Sequence, residues 1–374
     1  MRLIALILIA LLVSVMAFAE YVVQPGPDAG QLVEVDGYWR WELAATGGVV
    51  SSFEITTTGA DTIGISYADA VDLRIEWGDS DFSVVNGAGT ANHTYGAVGA
   101  VYTLTMQGEC SVFRFLTNPS KLTAILSPIQ GITGITNFYQ TFYGCTSLTS
   151  LPTDLFRYNT LVAASGFYQT FTTCTNLTSI PADLFRYNIL VSSSGFYGTF
   201  WGCTSLASIP VDLFRYNILV TTSGFYNTFA VCTSLTSIPV DLFRYNILVT
   251  SSGFYGTFQY GYVLTNAPSG LFKYNNVAVD FRSCFYKCNK LTMPEDLFYD
   301  SLGSAIDRTN RFAGLSVDFT GFFQQTAATT GGIGTAPDLW DAEGLFSSAD
   351  AFTGHSTNSL SNWTNIPSAW GGPL

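Results

Sequence analysis

One string returns through the middle of the chain every 29 residues, and it constrains the fold more than any other feature. Phe138, Phe167, Phe196, Phe225 and Phe254 each open a segment reading F-Y-x-T-F. The string D-L-F-R-Y-N stands at 154–159, 183–188, 212–217 and 241–246, and Cys145, Cys174, Cys203 and Cys232 each begin C-T-x-L-x-S. A fifth copy keeps Leu264, Pro268, Leu271, Phe272, Tyr274 and Asn275 but loses the cysteine. A shortened sixth runs from Phe281 through Cys288, Leu291 and Pro294 to Leu297-Phe298, and traces remain at Ala336-Pro337-Asp338-Leu339-Trp340 and Ile366-Pro367. A unit this small cannot bury its own apolar face. Stacked copies form a continuous core, and ragged terminal copies serve as caps.

Within one unit, Cys203, Leu206 and Ile209 fall three apart, which suits a short extended segment pointing its apolar residues into the stack. Pro210 fits the first position of a helical turn, and Asp212 within that turn complements the N-terminal dipole. Ser223-Gly224 precedes a second turn in which Phe225 and Phe229, four apart, share a face. The predicted fold class is therefore an α+β repeat solenoid, leucine-rich-repeat-like, with a 29-residue period, occupying 111–374 with decayed capping repeats at its C-terminal end.

The segment before it differs in character. Arg2, the apolar run Leu3 to Met16 and Ala17-Phe18-Ala19 have the layout of a signal peptide at 1–19. The run is shorter than the roughly 20 residues that span a bilayer, so stable membrane insertion is not expected. The expectation is an exported protein, secreted or at the cell surface. The whole chain has 15 Lys and Arg against 27 Asp and Glu, a formal net charge of -12. From Glu20 to Cys110 there are 13 acidic residues against Arg40 and Arg74 alone, whereas 111–374 holds 14 acidic and 12 basic residues. That shift predicts a boundary near residue 110. An N-terminal segment is expected at 20–44. Charged residues are only 11% and aromatics 15%, which excludes a disordered chain, and the acidic balance excludes a nucleic-acid binder.

The F-x-G-C-T-S-L-T-S-I-P-x-D-L-F pattern resembles bacterial surface proteins with BspA-type leucine-rich repeats, from about Phe113 to Leu374 and most closely from Phe138 to Asn275. The resemblance implies a right-handed solenoid engaged in adhesion or protein–protein contact. This chain lacks a second I-x-I-P step after the core leucine. Leu73-Arg74-Ile75-Glu76-Trp77-Gly78-Asp79, with His93-Thr94-Tyr95 and Tyr102 to Thr105, is similar to a PKD-type β-sandwich, with Ser80 replacing the second glycine of the turn. That resemblance implies an all-β sandwich at 45–110, a spacer or presentation module.

Several sets of residues are candidates for chemistry. Glu76, Asp79 and Asp81 cluster in one stretch and offer oxygen ligands for calcium, or paired carboxylates for glycoside hydrolysis; a solvated turn is the plainer reading. Arg157, Arg186, Arg215 and Arg244 form a basic row, each three residues after an aspartate, which points to ion pairing or to ligand capture. The repeat varies at Gln140, Gln169, Gly198, Asn227 and Gly256, and at Tyr143, Thr172, Trp201 and Ala230. Variation where packing does not dictate the residue predicts side chains that face solvent, with Trp201 as a contact anchor, although drift produces the same variation. Gln140, Tyr143, Gln169, Thr172, Trp201 and Asn227 are accordingly candidate ligand-binding residues, together with the four arginines. The repeat cysteines read as a ladder of buried thiols, with disulfides as the alternative. Rows of Ser and Thr on the extended segments suit a polar coil face, or glycan or ice binding. No catalytic motif is present. The expected function is non-catalytic: adhesion or binding of an extracellular protein or glycan. The alternative is self-association into an extracellular filament or layer, or a virion fibre component.

Overall fold

The computed structural model describes residues 31–35, 38–42, 49–96, 99–299, 312–325, 333–337, 339, 345–355 and 360–373, so the leader expected at 1–19 lies outside the described residues. The chain divides into two compact units, Met1–Val49 and Val50–Leu374. In the first, β1 (Gln31–Val35) and β2 (Tyr38–Glu42) pair antiparallel with Val35 opposite Tyr38.

The second unit begins with a sheet of β3 (Ser51–Thr56), β4 (Thr62–Glu76), β5 (Phe82–Thr94), β6 (Val101–Glu109), β7 (Val112–Thr117), β8 (Leu122–Ile125) and β9 (Ile132–Thr133). Its order is β5-β4-β6-β3-β8, with β7 also on β4 and β9 also on β6. Alternation sets the faces: Ser51, Phe53 and Ile55 of β3 are fully buried, whereas Ser52, Glu54 and Thr56 are half-buried. β4 serves different partners along its length, with Gly64 to Ala68 against β7 and Val71 to Glu76 against β6. Register shifts around Ala70, with Asp69 at φ 51° and Asp72 at φ 45°, bend the strand between the two pairings.

The predicted fold class is overturned. Among the described residues there is no α-helix; the helical structure consists of three-residue 3-10 turns at Pro119–Lys121, Trp363–Asn365 and Ser368–Trp370. Regular structure is almost entirely β and lies mainly in the antiparallel sheet, so the chain is not an α+β repeat solenoid. The separate sandwich expected at 45–110 is part of one hydrogen-bonded seven-stranded sheet. The physical reason is in the repeat backbone. Asp212, inside the turn that Pro210 was expected to start, sits at φ 61°, and Ser194, Gly198 and Gly202 sit at 52°, 57° and 72°. A right-handed helix cannot propagate through left-handed residues recurring every fourth position.

The repeats are instead chains of turns bonded to one another. The N–H groups of Ser194, Phe196, Gly198, Phe200 and Gly202 donate to carbonyls 28 residues further on, at 2.8 to 3.0 Å. The residues between them, such as Tyr197, Thr199, Trp201 and Cys203, close three-residue turns within their own coil. Alternate backbone groups thus bind between coils and within a coil, leaving few donors unpaired. Side chains continue the ladder inside. Thr199 Oγ1 donates to Phe167 O at 2.8 Å, Cys203 Sγ to Phe171 O at 3.2 Å, and Asn217 Nδ2 to both Phe185 O and Asn188 O. All seven cysteines are free and buried, and burial pushes the thiols of Cys232 and Cys288 up to about 12.

Both ends of the stack are covered. At the start, Phe115 of β7 stacks on Phe142 with ring centroids 6.0 Å apart, and Thr141 Oγ1 donates to Phe113 O. Near the end, β10 (Thr292–Met293) pairs parallel with β12 (Ile333–Gly334), and β11 (Ser316–Asp318) with β13 (Leu345–Ser347). Trp370 closes over Phe319 and Phe346, each 5.7 Å away, and accepts the N–H of Phe352.

Candidate functional site

Ring spacing differs from row to row of the stack. Phe156, Phe185 and Phe214 follow one another at 6.2 and 6.0 Å, and Phe167, Phe196 and Phe225 at 5.7 Å. Tyr168, Tyr197, Tyr226 and Tyr255 follow at only 4.4 to 4.5 Å, although they lie further out than the phenylalanines. By ring spacing the tyrosine row is therefore the narrow side of the stack and the Phe156 row the wide one.

The two sides differ in chemistry. On the narrow side the tyrosines touch face to face at interplanar angles of 6° to 7°, and the row runs from Tyr139 to Tyr255. Burial together with neighbouring phenols raises the pKa of the Tyr197 and Tyr226 hydroxyls above the ordinary tyrosine value. Stacked rings present their edges and hydroxyls to solvent rather than their faces. On the wide side an arginine lies between successive tyrosines. The Arg186 guanidinium lies 5.7 Å from the Tyr187 centroid and 5.5 Å from that of Tyr216, and Arg157, Arg215 and Arg244 repeat the arrangement.

The predicted ligand-binding residues prove largely committed within the molecule. Arg157, Arg186, Arg215 and Arg244 pair with Asp154, Asp183, Asp212 and Asp241 at 3.6, 3.6, 3.3 and 3.2 Å, besides their contacts with tyrosine. Gln140, Gln169 and Asn227 occupy left-handed backbone at φ 53°, 51° and 52°, as do Gly198 and Gly256 at 57°. The variation there tracks a backbone conformation that Gly and Asn tolerate best. Their amides also bond along the stack: Arg114 Nη1 to Gln140 Oε1 at 2.6 Å, Gln140 Nε2 to Gln169 Oε1 at 2.7 Å, and Gln259 Nε2 to Asn227 Oδ1 at 2.8 Å. Thr172 is fully buried and donates to Gly198 O, and Ala230 in the same row is also buried. Tyr143 is exposed and Trp201 half-buried, so this row does not face solvent as a whole.

The acidic stretch of the sheet is reorganised around a residue absent from its predicted ligand set. His93 Nε2 lies 2.7 Å from Asp79 Oδ2 and His93 Nδ1 lies 3.9 Å from Asp81 Oδ2. Glu76 turns away, accepting from Arg74 Nε at 2.9 Å and from Thr105 Oγ1. His93 stacks on Trp77 at 5.2 Å and meets the edge of Tyr95, whose buried hydroxyl donates to Trp77 O at 2.7 Å. Among the described residues Asp79, Asp81 and His93 are the one group of three whose ligating atoms lie within 4.8 Å of one another. The two carboxylates address opposite nitrogens of one imidazole, so a single ion cannot take both nitrogens. Two donors sharing an ion stand more than about 3 Å apart, whereas His93 and Asp79 are at hydrogen-bond distance. The arrangement is that of a brace joining the β4–β5 loop to β5.

Sequence reasoning missed the narrow tyrosine row as a distinct face and the interleaving of arginine with tyrosine. The invariance of Tyr at two positions per repeat was the available signal, but only the packing of the rings separates the two rows. No helix among the described residues is long and apolar enough to cross a membrane. The chain matches no protein-family model, no curated protein and no solved structure, so its likeness to BspA-type repeats and PKD-type modules rests on the residues quoted for it.

Proposed function

We propose that the repeat stack is a non-catalytic binding scaffold whose narrow side presents its tyrosine row to an extracellular protein or glycan. The observation that carries this reading is the partly solvent-accessible row of stacked tyrosines at 4.4 to 5.1 Å along the narrow side. Tyrosine combines a rigid apolar ring with a hydrogen-bonding tip and loses little entropy on contact, which suits it to a binding surface. Export, expected from the leader-like residues 1–19, would place that surface outside the cell. The covers at both ends of the stack favour this role over end-to-end assembly, which needs an open terminal coil.

The test is a screen of the full chain against arrays of glycans and extracellular matrix proteins, repeated with Tyr197→Ser plus Tyr226→Ser and with the wide-side variant Arg215→Ala. The reading expects binding that the tyrosine pair abolishes and Arg215→Ala leaves intact. Binding equally sensitive to Arg215→Ala, or indifferent to the tyrosine pair, would refute it.

A further inference from the structure

The regular tyrosine row ends at Tyr255, where Arg282 of the next coil lies 4.9 Å over the ring, and just beyond it the surface changes composition. Tyr260 stands where earlier coils carry Gly144, Thr173, Gly202 and Val231, and Tyr262 where they carry Thr146, Thr175, Thr204 and Thr233. Tyr260 meets Tyr262 and Tyr286 edge-on at 6.1 and 5.3 Å. Lys287 brings its ammonium within 5.4 Å of the Tyr260 centroid and 5.0 Å of the Tyr286 centroid.

One feature sets this cluster apart, and it is not the backbone: Tyr260 is left-handed at φ 61°, as are its counterparts Gly144, Thr173, Gly202 and Val231. The cations of the regular repeats and Arg282 each have a carboxylate, Arg282 meeting Asp280 at 2.7 Å, whereas among the described residues Lys287 is in no ion pair. Contact with the Tyr286 hydroxyl and neighbouring phenols raises its pKa, so the ammonium stays charged.

We propose that Lys287, Tyr260, Tyr262 and Tyr286 form a subsite for the anionic sugar of a carboxylated glycan. This rests on the reading of the narrow side as a binding face and names its ligand class. An ammonium without a carboxylate of its own takes the sugar carboxylate, and tyrosine rings accept the C–H face of a pyranose while their hydroxyls bond its ring substituents. The net acidity of the chain does not oppose this, because 111–374 carries 14 acidic and 12 basic residues and more distant charge is screened within about 8 Å at physiological salt.

The experiment titrates the full chain with polygalacturonate, a neutral galactan and a sulfated glycan, and repeats this with Lys287→Ala, Lys287→Arg and Tyr262→Thr. Tyr262→Thr restores the residue of the other repeats, so a folded variant is assured, and urea unfolding of each variant checks it. Expected is salt-sensitive binding of polygalacturonate, weakened at least tenfold by Lys287→Ala and Tyr262→Thr and kept by Lys287→Arg. Equal binding of the neutral galactan, preference for the sulfated glycan, or indifference to Lys287→Ala overturns the subsite. If a protein or neutral glycan binds through Tyr197 and Tyr226 while polygalacturonate does not, the subsite falls and the proposed function stands. If polygalacturonate binding needs Lys287 but not Tyr197 and Tyr226, the tyrosine-row reading falls instead.

Discussion

Asn217 offers the sharpest test of how the coils are joined. Its side chain is fully buried, and Nδ2 donates to Phe185 O at 3.1 Å and to Asn188 O at 2.9 Å, both in the preceding coil. Each of those carbonyls also accepts a backbone N–H, from Asn188 and Val191, so removing the amide leaves neither bare. The loss is then at the low end of the usual range, about 1 kcal/mol per bond. The small cavity adds about 1 kcal/mol more, for a total of ~3 kcal/mol in Asn217→Ala. The Oδ1 atoms of Asn159, Asn188, Asn217 and Asn246 have no partner among the described residues, so losing that oxygen adds no cost. Asn217→Asp keeps the shape but turns an oxygen towards two carbonyls. An uncompensated buried carboxylate costs roughly 3–5 kcal/mol in addition to the lost donors, so at neutral pH the Asp variant is the worse of the two. Burial raises the folded-state pKa of this carboxyl above its unfolded value of about 3.9. The native state then binds the extra proton, and stability of the Asp variant falls as pH rises from about 4. Urea unfolding from pH 4 to pH 8 reads both effects, with the slope checked because repeat arrays can lose cooperativity. An Asp variant no less stable than the Ala variant at pH 7, or a gap between them that does not change with pH, would refute the reasoning.

Three further outcomes are expected. Gly224 has no room for a Cβ, which would meet Val220 Cγ1 and sit 3.0 Å from Thr221 O, while its neighbour Ser223 holds φ 53°. Gly224→Ala should therefore cost about 1–3 kcal/mol and Ser223→Gly should cost nothing or stabilise by up to about 1 kcal/mol, as read by urea midpoints. The seven thiols should resist iodoacetamide at pH 8 in the folded chain and all react once it is unfolded, because burial pushes them up and removes access; a disulfide found by mass spectrometry would contradict this. Asp61 accepts from the Thr58 N–H and pairs with Lys121 at 3.1 Å, which holds its pKa below the usual carboxylate value. Its contribution is present above the unfolded value of about 3.9 and lost as pH falls through the folded one, so Asp61→Asn should match the parent at low pH and fall behind it at neutral pH in thermal melts.

Much of the molecule was legible before any coordinates. The 29-residue period marks which residues are equivalent, and Phe138, Phe142, Phe156, Cys145 and their counterparts are core in every copy. The acidic row and basic row do pair, each Asp with the Arg three residues on. The helical reading of Pro210 and Asp212 failed because local propensity cannot reveal that Asp212 turns left-handed once coils must bond one another. Ser223-Gly224 misleads in the same way. Glycine is the usual left-handed residue, yet here serine takes that conformation and glycine provides clearance for a valine.

The sequence by itself determined periodicity, the identity of the core rows and the partners in each charged pair, because these depend only on which residues recur at one position. The tertiary structure decided which tyrosines stack on each other and which on arginine: the Tyr197 and Tyr226 rings stand 4.4 Å apart, whereas the Arg186 guanidinium lies between Tyr187 and Tyr216. It likewise drew His93 to Asp79 and sent Glu76 to Arg74, a choice made by the bend of β4 and the register of β5 rather than by proximity along the chain. Equivalence is a property of the string; distance between equivalent groups is a property of how the turns pack.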